Sequence, residues 1–112
     1  MVFRRRQNKY SVAPKSSRTM GGRTYASRRE MEVASDLLLE KNVGRIKKLV
    51  EQPRYELIPK PNRISYVPDF YVEYDDGSAE VIEVKGCWTQ VAILKVKMFR
   101  HFYPDVMLRI VK

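Results

Sequence analysis

The chain has 112 residues, 44% of them apolar, and a formal net charge of +9. That length suits one compact domain and falls short of two of ordinary size, and the apolar content excludes a chain disordered throughout. No run approaches the roughly 20 apolar residues of a membrane span, MVFRRRQNKY lacks the apolar stretch of a secretory signal, and the single Cys87 cannot form an internal disulfide, which fits a reducing cytoplasm.

The charge is placed unevenly. Residues 1–29 hold nine cations, Arg4, Arg5, Arg6, Lys9, Lys15, Arg18, Arg23, Arg28 and Arg29, and no acid; the other 83 residues balance 13 basic against 13 acidic side chains. Rich in Ser and Gly as well, residues 1–26 read as a flexible basic arm suited to a polyanion such as DNA. A merely solubilising tail is the competing explanation. A membrane surface is disfavoured, because the arm has no amphipathic apolar face. Gly21 and Gly22 read as a joint between arm and domain. No GK[ST] follows them, so there is no phosphate loop, and no small-molecule organic cofactor is indicated.

A single α/β domain is expected over 27–112. Its first helix runs from Ser27, a suitable N-cap, to about Asn42. Glu30, Ala34, Leu37 and Leu38 fall at i, i+4, i+7 and i+8, so Glu30 borders the apolar face. Glu32, Asp36 and Glu40 form the opposite, solvated stripe. After Gly44, strands are expected at 54–58, 64–74 and 79–85, with KPN at 60–62 as a turn and DDGS at 75–78 as a tight hairpin. Residues 89–103 carry Ala92, Val96, Phe99 and Tyr103 on one stripe, a second helix with Thr89 near its N-cap. Pro104 closes it, and 106–111 form a last strand. The order α-β-β-β-α-β predicts a mixed β-sheet with flanking helices.

Asp69, Glu83 and Lys85 interrupt the apolar strands in YVPDFYVEYDDGSAEVIEVKG, residues 66–86. Alternation puts Glu83 and Lys85 on one face, and the hairpin returns the chain so that Asp69 lies beside Glu83. Two carboxylates about 5 Å apart repel by roughly 3 kcal/mol at an effective dielectric of about 20. A proton, a lysine or a divalent cation can offset that cost. Oxygen ligands with open positions suit a hard cation, Mg²⁺ or Mn²⁺. The competing explanation is a cross-strand ion pair on a half-exposed sheet, worth about 0–1 kcal/mol. It leaves the Pro-Asp, the Glu-x-Lys and the inward Glu30 as separate accidents.

Pro68-Asp69, a hairpin and Glu83-Val84-Lys85-Gly86 together resemble the PD-(D/E)XK nuclease motif, preceded by a helix bearing an inward Glu in SRRE. Small phage-borne nucleases related to Holliday junction resolvases carry stretches similar to SRRE, QPRYELIP, YVPDF, EVKG and a lysine-bearing helix ending in YP. The likeness covers about residues 25–112. It implies a restriction-endonuclease-like core in a prokaryotic or phage-infected cell. Asp69 and Glu83 would ligate the metal, with the Val84 carbonyl as a further ligand, and Lys85 would be the catalytic lysine. Glu30 would assist as a ligand, directly or through water. Gln52 and Lys95 would be accessory, with Lys95 preferred over the more solvated Lys97.

Other residues read as structural. Asp75 and Asp76 are turn formers, and Glu73 and Glu80 cross-strand surface charges. His101, the lone histidine, has no histidine partner for a zinc site. Cys87, Trp88, Phe99, Phe102 and Tyr103 read as packing residues. The resulting expectation is a Mg²⁺-dependent endonuclease hydrolysing DNA, most simply a homodimeric resolvase cutting the paired strands of a branched junction. A nicking or end-processing nuclease of a phage replication or packaging system is the first alternative. A non-catalytic DNA-binding protein on a nuclease scaffold is the second.

Overall fold

The computed structural model of the chain describes residues 13–112. A 3-10 turn, Lys15–Arg18, leads into a short hairpin of β1 (Thr19–Met20) and β2 (Arg23–Thr24). Helix α1 (Arg28–Asn42) follows, then β3 (Ile46–Glu51), β4 (Tyr55–Ile58), β5 (Ile64–Tyr66), β6 (Phe70–Tyr74), β7 (Ala79–Val84), α2 (Gln90–Phe102) and β8 (Leu108–Val111). Among the described residues no helix is long and apolar enough to cross a membrane.

The central sheet has the order β3-β6-β7-β8, antiparallel except for the β7–β8 pair. On one face Val33, Ala34 and Leu37 of α1 meet Ile46, Phe70, Val72 and Ile82. On the other, Val96 and Phe99 of α2 and Leu57 and Tyr66 of a β4–β5 hairpin meet Val81. Val81 and Ile82 are both fully buried, because neighbouring residues of a strand point to opposite faces and here both faces are covered. The protein is a mixed α/β domain with a mixed sheet and two helices.

Local sequence accounts for the ends of α1. The Ser27 hydroxyl accepts the Glu30 N–H at 3.0 Å, one of the amides a helix leaves unpaired at its start. At the other end Gly44 takes φ +85°, and the N–H groups of Gly44 and Arg45 bond the carbonyls of Lys41 and Glu40. That is the left-handed close that glycine alone adopts without cost. The 75–78 turn closes as expected: Gly77 takes φ +88°, and Asp76 accepts the Ser78 N–H at 2.9 Å.

The structure departs from expectation in several places. Ile46–Glu51 is a strand, and it forms one edge of the central sheet; its two adjacent lysines hide the alternation. Residues 64–74 are two strands, separated at Val67-Pro68-Asp69, where proline has no N–H to give to a ladder. The β4 strand pairs only with β5, apart from the central sheet. Residues 19–25, read as arm, fold against the domain: Tyr25 is buried in the α1-side core, with Met20 packed beside it. Their apolar contribution was masked by the surrounding charge. Phe102 is 48% exposed, one position off the Ala92-Val96-Phe99-Tyr103 stripe, and Cys87 and Trp88 are exposed beyond the end of β7.

Phe99 is fully buried and sits with Tyr55, Tyr66 and Tyr103 at ring-centroid distances of 4.9, 5.2 and 5.3 Å. Phe99→Ala is expected to destabilise the fold by about 3–5 kcal/mol in urea unfolding, and Phe102→Ala by about 0.5 kcal/mol or less. Equal losses would contradict the assignment of the core.

Candidate functional site

The break at Pro68 places Asp69 just before β6. Phe70 pairs with Ile82, so the antiparallel register sets Asp69 opposite Glu83 at the end of β7. The Asp69 N–H donates to the Ile82 carbonyl at 3.2 Å, and its Oδ2 accepts the Val84 N–H at 2.7 Å. The Gln52 N–H donates to the Asp69 carbonyl at 2.8 Å, fixing the backbone from the side of β3. Asp69 is thus held at the end of the sheet by two bonds with β7 and one from the turn after β3, the Val84 bond being the one that reaches its carboxylate.

A cleft of about 750 Å³ opens at this point. Asp69, Glu83, Val84 and Lys85 line it from the sheet, Ser27, Arg28, Arg29 and Glu30 from the start of α1, and Thr89 from the start of α2. Both helices therefore present their N-terminal ends, the positive poles of their dipoles, to the carboxylates. Glu30 is 3% and Glu83 8% exposed, and each is pushed up to about 7, first by burial and then by the charge of Asp69. Asp69 is also raised by burial, against the pull of the Val84 amide and the Lys85 ammonium. No ion pair within 4.0 Å joins Lys85 to either carboxylate among the described residues, so the cross-strand ion pair is not formed.

Two further groups that the sequence did not reveal, Tyr66 and Glu51, lie behind the cleft-lining carboxylates. Glu83 Oε2 and the Tyr66 hydroxyl are both buried and lack a hydrogen-bond partner. Burial and the neighbouring charges of Glu83 and Asp69 push the Tyr66 phenol far up, so it remains a neutral O–H beside the carboxylates. Behind Glu30, Glu51 is bonded by Arg23 and accepts the Tyr25 hydroxyl at 3.0 Å, while Arg23 lies 4.9 Å over the Tyr25 ring. In the sequence Tyr66 is one residue of a strand, and Glu51 stands in no motif. Only their three-dimensional neighbours mark them.

The remaining candidates divide. Gln52 is exposed, adopts φ 53° and contributes its backbone; its side chain does not line the cleft. Lys95 is half-buried on α2 outside the cleft lining, whereas Lys97 is exposed. Arg18 bonds the carbonyls of Ala13 and Tyr25, and with Arg23 it serves the fold of the β1–β2 hairpin. Arg28 and Arg29 stand at the cleft and pair with Glu32 at 3.5 and 3.3 Å. Lys15 is exposed, and Arg4, Arg5, Arg6 and Lys9 lie outside the described residues.

No three His, Cys, Asp or Glu side chains among the described residues converge as a ready-made metal cage. The donor chemistry nonetheless fits a hard divalent cation: the acids are all carboxylates, and Glu83 offers a buried oxygen with no partner. A cation would have to draw the carboxylates together.

The fold and cleft define a mixed α/β domain with carboxylates and a lysine gathered at the end of its sheet. The family described as "Protein of unknown function (DUF1064)" matches residues 7–112, and the chain belongs to that family. A search of curated proteins finds no match.

The raised carboxyls give a pH dependence of known sign. Glu30 and Glu83 bind protons more tightly folded, near 7, than at the ordinary 4.5, so their stabilising contribution is full below 4.5 and lost as pH rises through about 7. In EDTA the urea midpoint is expected to fall between pH 5 and pH 8. Glu30→Gln and Glu83→Gln should each flatten that fall. A variant that tracks the wild-type profile would show that its carboxyl titrates normally.

Proposed function

We propose that the protein is a metal-dependent endodeoxyribonuclease of the PD-(D/E)XK type, acting on branched DNA such as a four-way junction. The observation that carries this reading is the meeting of Asp69, Glu83, Lys85 and Glu30 at one cleft, where buried carboxylates are held without an ion pair. Asp69 and Glu83, assisted by Glu30 and the Val84 carbonyl, would hold Mg²⁺, with Mn²⁺ able to substitute. Such an ion, when bound, supplies Lewis-acid activation of a phosphoryl oxygen. The Lys85 ammonium stands beside the carboxylates, suited to stabilise charge developing on the phosphate or to position an attacking water. Arg28, Arg29 and the helix ends at Ser27 and Thr89 orient a phosphate towards these groups.

Phosphate contacts fix position without reading sequence, so a basic arm with no visible base-reading element favours recognition by shape. A junction offers two equivalent strands, and a homodimer with two clefts matches that symmetry. The likeness to junction resolvases supports the same substrate.

A panel of four-way, flap, nicked and linear DNA tests the reading. Symmetric paired nicks in the junction are expected, dependent on Mg²⁺. Asp69→Asn and Lys85→Ala should each lower the cleavage rate by about 10²–10³-fold, with binding in EDTA retained. Cutting confined to flaps or linear ends would replace the resolvase with an end-processing nuclease. Binding without any cleavage would leave a non-catalytic DNA-binding protein.

A further inference from the structure

Over residues 30–112 the charges sum to zero, but the fold does not leave them mixed. Residues 67–87, the β6–β7 hairpin and its flanks, carry six acids and only Lys85 as a cation, a balance of −5. The β4–β5 hairpin and α2, residues 53–66 and 88–103, carry six cations, Arg54, Lys60, Arg63, Lys95, Lys97 and Arg100, against the single acid Glu56, a balance of +5. These two elements pack together on one side of the central sheet through Leu57, Tyr66, Val96 and Phe99. Their positive charge is therefore concentrated on one layer.

The layer is exposed and its cations are free. Arg54, Lys60, Arg63, Lys97 and Arg100 are all exposed, and none has a carboxylate within 4.0 Å among the described residues. Lys97 and Arg100 lie three residues apart, on adjoining turns of one helix side. Lys60 and Arg63 lie in the connection between β4 and β5. Phe99 of α2 packs on Tyr66 of β5 at 5.2 Å between ring centroids, which brings the helix cations beside the hairpin. Both elements also reach the cleft wall: the hairpin ends there at Val67, directly after β5, and α2 starts there at its N-cap Thr89. The acidic 75–78 turn sits at the opposite end of β7, about 17 Å away for five residues of strand.

We propose that the face formed by the β4–β5 hairpin and α2 is a second seat for the phosphate backbone of duplex DNA, independent of the N-terminal arm and continuous with the cleft. It rests on the nucleic-acid substrate proposed above. The helix spans about 20 Å, roughly six base-pair steps of a duplex. A DNA arm leaving the cleft along this face meets unpaired guanidinium and ammonium groups. The turn end of the β6–β7 hairpin would repel it.

The test is the salt dependence of binding to a labelled duplex and a four-way junction in EDTA, where cleavage plays no part. One variant replaces Lys60, Arg63, Lys97 and Arg100 by Ala. A control of equal charge loss replaces Lys41, Arg45, Lys47 and Lys48, all exposed near the far end of α1 and β3. Each phosphate contact contributes about 0.9 to the slope of log K against log salt. The face variant is expected to flatten that slope by about 2–4, and the control by less than about 1. Equal effects of the two variants, or an unchanged slope in the face variant, would overturn the proposal. If the fourfold variant fails to fold, the pairs Lys60→Ala with Arg63→Ala and Lys97→Ala with Arg100→Ala carry the same comparison, each with half the change. Junction cleavage with a face-independent slope removes this surface and leaves the nuclease standing. A face-dependent slope without cleavage removes the nuclease and leaves the surface.

Discussion

Three hydrogen bonds hold Asp69 at the end of the sheet, and the geometry of the cleft follows from them. Its N–H bonds the Ile82 carbonyl, its carbonyl accepts the Gln52 N–H, and its Oδ2 takes the Val84 N–H at 2.7 Å. The last of these uses the amide that would otherwise continue the β6–β7 ladder. A backbone donor bonded to a carboxylate stabilises the charged form, and it partly offsets the burial that raises Asp69. The antiparallel register then sets Glu83 across from Asp69, and helix α1 brings Glu30 to the same cleft through its Ser27 cap. Moving β6 by one residue would turn Phe70 and Val72 out of the α1-side core, so the same register protects both the core and the site.

Charge in this protein is arranged by topology more than by composition. The sum over residues 30–112 is zero, yet the acids gather on the β6–β7 hairpin and the cations on the α2 and β4–β5 layer. A protein that only needed solubility would gain nothing from separating them. Separation raises the potential on one face and leaves a field along which a polyanion can be oriented. The arm adds to that field, although Arg18 and Arg23 contribute little to it: the first bonds backbone carbonyls and the second is neutralised by Glu51.

Legibility in the sequence followed periodicity and punctuation. The inward Glu30 and outward Glu32 were readable because helical spacing separates them by about 200° around α1, and the turn at Gly77 because few residues accept a positive φ. The pairing of Asp69 with Glu83 followed from that turn. Strand β3 was not legible, because Lys47 and Lys48 are both exposed on an edge and interrupt the apolar alternation. The division of 64–74 into two strands turns on Pro68, whose missing N–H breaks the ladder within a stretch that is otherwise continuous in strand-forming residues. Tyr66 and Glu51 could not be found at all. Each is defined by what approaches it from another element.

The structure also bears on why such a cluster exists. An ion pair would explain Lys85, Asp69 and Glu83 without any function, but the pair is absent. What remains is two glutamates at most 8% exposed, both pushed up to about 7, and a buried carboxylate oxygen without a formed hydrogen bond, beside the Tyr66 hydroxyl. Burying a carboxyl with an unmet oxygen costs about 1–3 kcal/mol, and apolar residues of similar volume would be neutral or better. The fold keeps the arrangement, and keeps it where two helix N-termini and a lysine meet an open cleft. Departures from local rules gathered at one place are the pattern in which functional sites differ from the core around them. The structural explanation predicts scattered compromises of this kind; their convergence is what it leaves unexplained.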